Sequence, residues 1–319
     1  MTTTTLGRTN LTVTTAGLGC GGFSRIGIDK GIDHAAGIVR RAYDEGVTFF
    51  DTATAYGTQP AVGQGLHGLK RDSFVISTKF PYRYFGRYGT SEGSPLMTPA
   101  DLEATLETSL RELQTDYIDV WHCHALTLGD FPYVRDELYP VMLRAKERGL
   151  VRFLGVTEQF GADTSHVMLK SVLHEDLFDV VMVGYNILNP SAADTVLPLT
   201  IERDVAVLCM FAVRRALHDD AQLARDLAKI LENSQGGADL TADPRILDFL
   251  LQSGVAQSLP EAAYRFTRHT RGITVTLTGT GNAEHLAENL RSIELPPLPD
   301  SALQRLHELF GSVDCVSGQ

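Results

Sequence analysis

Val47-Thr48-Phe49-Phe50-Asp51-Thr52-Ala53-Thr54-Ala55-Tyr56-Gly57 opens on an apolar run, ends that run in a carboxylate, and continues through small residues to a Tyr-Gly pair. Val47–Asp51 has the length and bulk of a strand buried on both faces. The amphipathic segment before it, Asp33–Glu45, reads as a helix. Working outward, the same alternation repeats along the chain. Strand candidates lie at Ala16–Cys20, Val47–Asp51, Phe74–Thr78, Tyr117–His122, Phe153–Val156, Val180–Gly184, Val205–Phe211 and Ile273–Thr278. Further helix candidates lie between them: Thr98–Leu113, with Thr98 as N-cap and Pro99 at the first helical position, then Tyr133–Arg148, Ser165–His174, Ala192–Arg203, Pro260–Arg268 and Ala283–Leu290.

This alternation predicts an α/β fold with a parallel sheet, and eight repeats favour closure into a (β/α)8 TIM barrel. One domain is expected over residues 1–319. Leu6 to Thr15 reads as an N-terminal β-hairpin turning near Thr9-Asn10 and covering one end. Asp300–Phe310 reads as an extra C-terminal helix outside the barrel, with the last residues frayed. The competing fold, an open dinucleotide-binding sheet, needs G-x-G-x-x-G directly after an early strand and opening a helix. Gly17-Leu18-Gly19-Cys20-Gly21-Gly22 falls within the first strand candidate instead, so its glycines read as close backbone approach at a strand end or as turn residues.

Apolar residues make up 43% of the 319 and charged residues 21%, enough to bury a large core. There are 28 Lys and Arg against 39 Asp and Glu, a formal charge of −11 with no basic block, which gives nucleic acid or anionic membrane little to hold. Cys20, Cys123, Cys209 and Cys315 form no C-x-x-C pair, which argues against zinc ribbons and thioredoxin-like chemistry and suits free thiols in a reducing cytosol. With no leader or membrane-span pattern, a cytoplasmic protein is expected.

Asp51, Lys79 and His124 each stand at or just beyond a strand candidate, and Tyr56 follows Asp51 by five residues. A barrel brings such ends together on one face. A phenol titrates near pH ~10 and serves as an acid or base near neutrality only if something lowers its pKa, as a nearby ammonium does. His122 and His124 share a strand face, and H-x-H there also opens metal-dependent hydrolase sites, so that alternative stands. Two segments leave the repeat, Pro81–Met97 and Ala221–Gly254, and long loops at a barrel mouth hold substrate. Phe23, Tyr82, Tyr84, Phe85 and His122 are the candidate substrate contacts.

The motifs D-x-A-x-x-Y-G at Asp51–Gly57, the strand-end Lys79, and D-Y-I-D-x-x-x-x-H at Asp116–His124 resemble the aldo-keto reductase family, from Leu6-Gly7-Arg8-Thr9 to Glu288-Asn289. The resemblance implies NAD(P)(H) bound in extended form and a carbonyl (aldehyde, ketone or sugar lactol) interconverted with an alcohol. Tyr56 would be the acid/base, Lys79 would lower its pKa, Asp51 would hold the ammonium, and His124 would orient the substrate oxygen. A catalytically weak nicotinamide sensor is the other implied possibility. For the cofactor, the resemblance points to Gly21, Thr157, Glu158, Met182, Met210, Arg214, Gly279, Thr280, Gly281, Asn282, His285, Glu288 and Asn289. Several depart from the pattern. Glu158 replaces an amide expected to hold the carboxamide, and Met182 replaces a glutamine. Gly281, Asn282 and His285 stand where cations would hold a 2′-phosphate, so NADP(H) selectivity is expected to be weak and NAD(H) stays open.

Overall fold

The computed structural model describes residues 1–84, 94–252 and 254–319; Phe85 lies outside them. An antiparallel pair comes first, β1 (Thr3–Thr5) and β2 (Thr12–Thr14), in the register Thr3↔Thr14. The strands that follow are β3 (Ala16–Gly19), β4 (Phe49–Asp51), β5 (Val75–Pro81), β6 (Ile118–Leu126), β7 (Val151–Glu158), β8 (Val180–Gly184), β9 (Ala206–Met210) and β10 (Val275–Thr278). They are parallel and close in the order β10-β3-β4-β5-β6-β7-β8-β9, so the expected TIM barrel is the observed fold.

Period two along the strands sorts side chains between barrel interior and helix layer. Phe49, Val75, Val120, Val180, Ala206, Leu208 and Val275 fill the interior near the N-terminal strand ends. Leu6 and Val13 of the hairpin pack on that layer, so the hairpin plugs the apolar end. Its strands begin at Thr3, and its turn is a 3-10 loop, Gly7–Thr9, closed by Asn10 at φ 58°. Asp51, Ser77 and His122 follow two residues farther along β4, β5 and β6. This polar layer lies above an apolar floor. Trp121 and Cys123, between the interior positions of β6, join the large outer cluster under the helices.

Several boundaries differ from the sequence reading. β5 continues to Pro81 and β6 to Leu126, which puts Lys79 and His124 inside strands. Helix Pro99–Glu112 has the expected Thr98 cap, completed as a capping box by Asp101. Helix Gln59–Leu66 was not expected, because Gly63 and Gly65 weaken its signal. They are needed for packing: a Cβ on Gly63 would lie 2.5 Å from the Glu112 carbonyl, and one on Gly65 2.7 Å from Val39.

Much of residues 221–252 forms regular structure. Helix Asp220–Glu232 and the 3-10 run Pro244–Leu251 bury Leu223, Leu227, Ile230, Leu247 and Leu250 against Leu306, Leu309 and Phe310 of helix Asp300–Phe310. The last residues do not fray. Val316 is buried, its carbonyl accepts from Asn189 Nδ2 at 2.9 Å, the Ser317 carbonyl accepts from Arg214 Nε at 3.1 Å, and the Gly318 carbonyl accepts from the Ala216 amide at 3.1 Å. No helix among the described residues is long and apolar enough to cross a membrane.

Candidate active site

Strand register explains how four distant residues meet. β5 pairs with β6 so that Lys79 lies beside His122 and Pro81 beside His124, while Asp51 on β4 lies beside Ser77. Lys79 has no exposed surface; its Nζ donates to Asp51 Oδ2 at 2.6 Å and to the Thr52 carbonyl at 2.7 Å. Asp51 Oδ1 accepts from Ser77 Oγ at 2.8 Å.

Tyr56 ends a 3-10 turn, Thr54–Tyr56, that Gly57 terminates at φ 67°. Thr54 Oγ1 donates to the Lys79 carbonyl at 3.3 Å, and Thr52 and Thr58 hydroxyls meet at 2.8 Å, which ties the loop to β5 and to its own base. The Lys79 ammonium lies 4.9 Å from the Tyr56 ring centroid, and Tyr56 Oη lies 3.5 Å from His124 Nε2 with the two rings edge to face. A Cβ on Gly21 would lie 2.5 Å from the Tyr56 ring, so only glycine leaves room for the phenol there.

Burial pushes the Tyr56 phenol above its ordinary value, and the Lys79 charge opposes that push without reversing it. Lys79 thus acts in the expected direction, but burial is the larger effect. Burial also works against the Lys79 charge, but Asp51 and Tyr56 outweigh it and hold the ammonium above its usual range. Burial and then Lys79 bring His124 down to about 3, and the same two causes bring fully buried His122 well below its usual value.

Both imidazoles are neutral in the fold and protonate near 6.5 when unfolded, so their contribution is present above that pH and lost as pH falls. Going from about pH 7.5 to about pH 5.5 should remove about 3 kcal/mol of unfolding free energy through these two groups. Urea unfolding at both pH values measures it, and His124→Asn should recover about half.

The aldo/keto reductase family model matches residues 17–310. The chain belongs to the aldo/keto reductase family. An aldo-keto reductase from Bacillus halodurans, in its holo form, superposes with TM-score 0.75 over 98% of this chain and 97% of its own, at 23% identity. L-Galactose dehydrogenase of Arabidopsis thaliana is 32% identical over 157 residues, 48% of this chain and 47% of that protein. D-threo-Aldose 1-dehydrogenase of a Pseudomonas species is 26% identical over 215 residues, 61% and 64% respectively. The matches thus span from about half to just under two thirds of these curated relatives.

Aldo/keto reductases use NAD(P)(H), and the residues of this aldo/keto reductase fit that cofactor unevenly. Thr157 Oγ1 accepts the Ala125 amide at 2.7 Å, which leaves its own proton free to donate. Glu158 does not face the mouth: its side chain is fully buried, both oxygens meet His166 Nδ1 at 3.0 and 2.9 Å, and Oε1 accepts the Gly184 amide at 2.7 Å. The contact expected of it with a carboxamide is thereby corrected. Met182 is buried among the interior strand residues, with Met210 half-buried beside them.

Arg214 lies over the Phe211 ring at 3.9 Å and makes no ion pair among the described residues; burial draws its pKa down to about 10. An anionic group would offset that burial. At the far side, Asn282 caps helix Ala283–Glu294 by accepting the Glu284 and His285 amides, and Thr280 Oγ1 accepts the Asn282 amide. Gly279 and Gly281 pack where a Cβ would lie 2.3 Å from the Gly19 carbonyl and 2.6 Å from the Gly27 amide. His285 and Glu288 are exposed, and Asn289 Nδ2 donates to Thr278 Oγ1 at 3.0 Å.

Among the substrate candidates, Phe23 is 87% exposed and Tyr84 44%, with Tyr84 Oη donating to Asp101. Tyr82 and His122 are at 0%. Tyr82 is packed into the outer cluster and His122 into the barrel, so neither offers a substrate-facing surface, contrary to expectation. His122 Nε2 lies 3.0 Å from Ser77 Oγ while His124 Nε2 faces Tyr56, so the two imidazoles serve different partners and no shared ion is needed to explain them. Sequence reasoning passed over Ser77, although its place two residues before Lys79 puts both on one face. It also passed over His166, which gave no signal.

Proposed function

We propose that this aldo/keto reductase interconverts a carbonyl and an alcohol by hydride transfer, with Tyr56 as the proton donor or acceptor. One observation carries the reading: an ammonium with no exposed surface, held at 2.6 Å by Asp51, beneath the face of a phenol at the barrel mouth. A sensor that only bound cofactor would have no use for so costly a burial. When bound, the nicotinamide supplies or accepts the hydride. During reduction Tyr56 gives its proton to the substrate oxygen, and during oxidation it takes that proton back. Neutral His124 donates its Nε2–H to the same oxygen, which orients it and stabilises developing negative charge. Thr157 has a proton for the carboxamide, and Arg214 has charge for the pyrophosphate.

The substrate class supported by the two dehydrogenases above is an aldose, oxidised at its lactol carbon. NAD(H) is the preferred cofactor in this reading. Asn282 already satisfies the helix N-terminal amides, and Glu284 places a carboxylate in the first turn, where it would repel a 2′-phosphate. Fluorescence titration with NADH and NADPH tests both points. NADH should bind at least about tenfold more tightly, and Asn282→Arg with Glu284→Gln should close most of that gap. Absence of binding by either cofactor would remove the proposed function.

A further inference from the structure

We infer that His122, acting through Ser77, is a positioning residue that fixes Asp51 and thereby the buried ammonium beneath Tyr56. The inference rests on the reaction proposed above and concerns a part of the site that touches neither substrate nor cofactor. Ser77 Oγ lies 2.8 Å from Asp51 Oδ1 and 3.0 Å from His122 Nε2. A hydroxyl has one proton to give. Asp51, 2.6 Å from an ammonium, is an acceptor, so the Ser77 proton goes to it. His122 must then donate to Ser77, which sets its tautomer as Nε2–H with a bare lone pair on Nδ1. Nδ1 is buried and makes no hydrogen bond within bonding geometry, while the Val156 carbonyl near the ring would accept only from the opposite, Nδ1–H tautomer.

The result is a one-way chain, His122 Nε2–H to Ser77 Oγ–H to Asp51 Oδ1, with Lys79 on Oδ2. Each link polarises the next in buried surroundings. Asp51 is thus held by two donors on two oxygens and cannot rotate away from Lys79. Lys79 has spent two of its three protons on Asp51 and Thr52, and the third is left for the phenol. The groups facing the His122 ring are Lys79, His124 and the Val156 carbonyl. Behind it is Gly155, where a Cβ would lie 2.2 Å from Nδ1 and 2.5 Å from Cε1, so nothing larger than hydrogen fits.

Two substitutions separate donation from packing. His122→Leu fills the site without a donor, and His122→Gln keeps an N–H at the cost of another buried polar atom. A packing role predicts that Leu is the better replacement. The inferred role predicts the reverse: His122→Leu lowers kcat for reduction of glyceraldehyde by NADH about tenfold with KM and NADH affinity unchanged, and His122→Gln restores most of it. Ser77→Ala should lose as much, with Ser77→Thr as its rescue. Equal rates in the Leu and Gln variants would overturn the role.

Nitrogen-15 NMR of histidine in the unmodified protein decides the tautomer independently of folding of the variants and of any turnover. Protonated Nε2 and bare Nδ1 across neutral pH support the chain, and an Nδ1–H tautomer overturns it. If Tyr56→Phe left the rate intact, the proposed reaction would fail, while the NMR result would still decide the tautomer.

Discussion

Tyr56→Phe should lower kcat for carbonyl reduction by about 10³- to 10⁴-fold while leaving NADH affinity within about twofold, because the change removes only the oxygen that exchanges the proton. The ring itself stays, edge to face with His124 and over Lys79, so the fold loses little. Stopped-flow turnover and NADH fluorescence on the same preparation measure the two quantities. A loss below about tenfold would mean that another group or water moves the proton. The pH dependence follows from the phenol being pushed above its ordinary value. Reduction should hold steady through neutral pH and fall only in strong alkali, and alcohol oxidation should rise with pH. Neither should show an imidazole limb, because His124 stays neutral.

Lys79→Met is expected to cost about 3–5 kcal/mol of unfolding free energy, since it leaves Asp51 charged and unpaired in a site with almost no exposed surface. Asp51→Asn should cost a comparable amount for the mirror reason. Asp51→Asn combined with Lys79→Met should recover most of the loss, because two neutral groups of similar size no longer carry a desolvated charge. Activity should not return with stability, as no ammonium then faces the phenol. Urea unfolding of the three variants closes the cycle. A double variant as unstable as the sum of the singles would show that packing, not charge, holds this layer.

The barrel was legible because its strands are apolar on both faces and its helices are not, a contrast that survives without tertiary information. Asp51, Tyr56, Lys79 and His124 were legible for a related reason: residues at strand ends of a closed parallel barrel must converge. What escaped was whatever depended on the direction of a side chain beyond the strand. Glu158 follows interior-facing Thr157 by one residue, so it points to the other side and meets His166, reached by way of a positive φ of 60°. His122 was correctly placed on the face of His124, but depth along that face separates a mouth residue from one sealed against Gly155. The segment around Leu223 and Leu247 looked like a variable loop because its apolar partners, Leu306 and Phe310, come much later in sequence.

Closure of the ring joins β3 to β10, pairing Ala16 with Thr276. During synthesis all four of these side chains have been made by residue 124, about 150 residues before the strand that shuts the sheet. Until then the chain carries a hydrated lysine, an unshielded aspartate and two raw sheet edges that invite wrong pairing. Such long-range closure makes for slow folding. Emergence of Val275–Thr278 is therefore the event that turns an ordinary solvated ammonium into the buried one, and a nascent chain halted before it would be a client for chaperones rather than an incomplete catalyst.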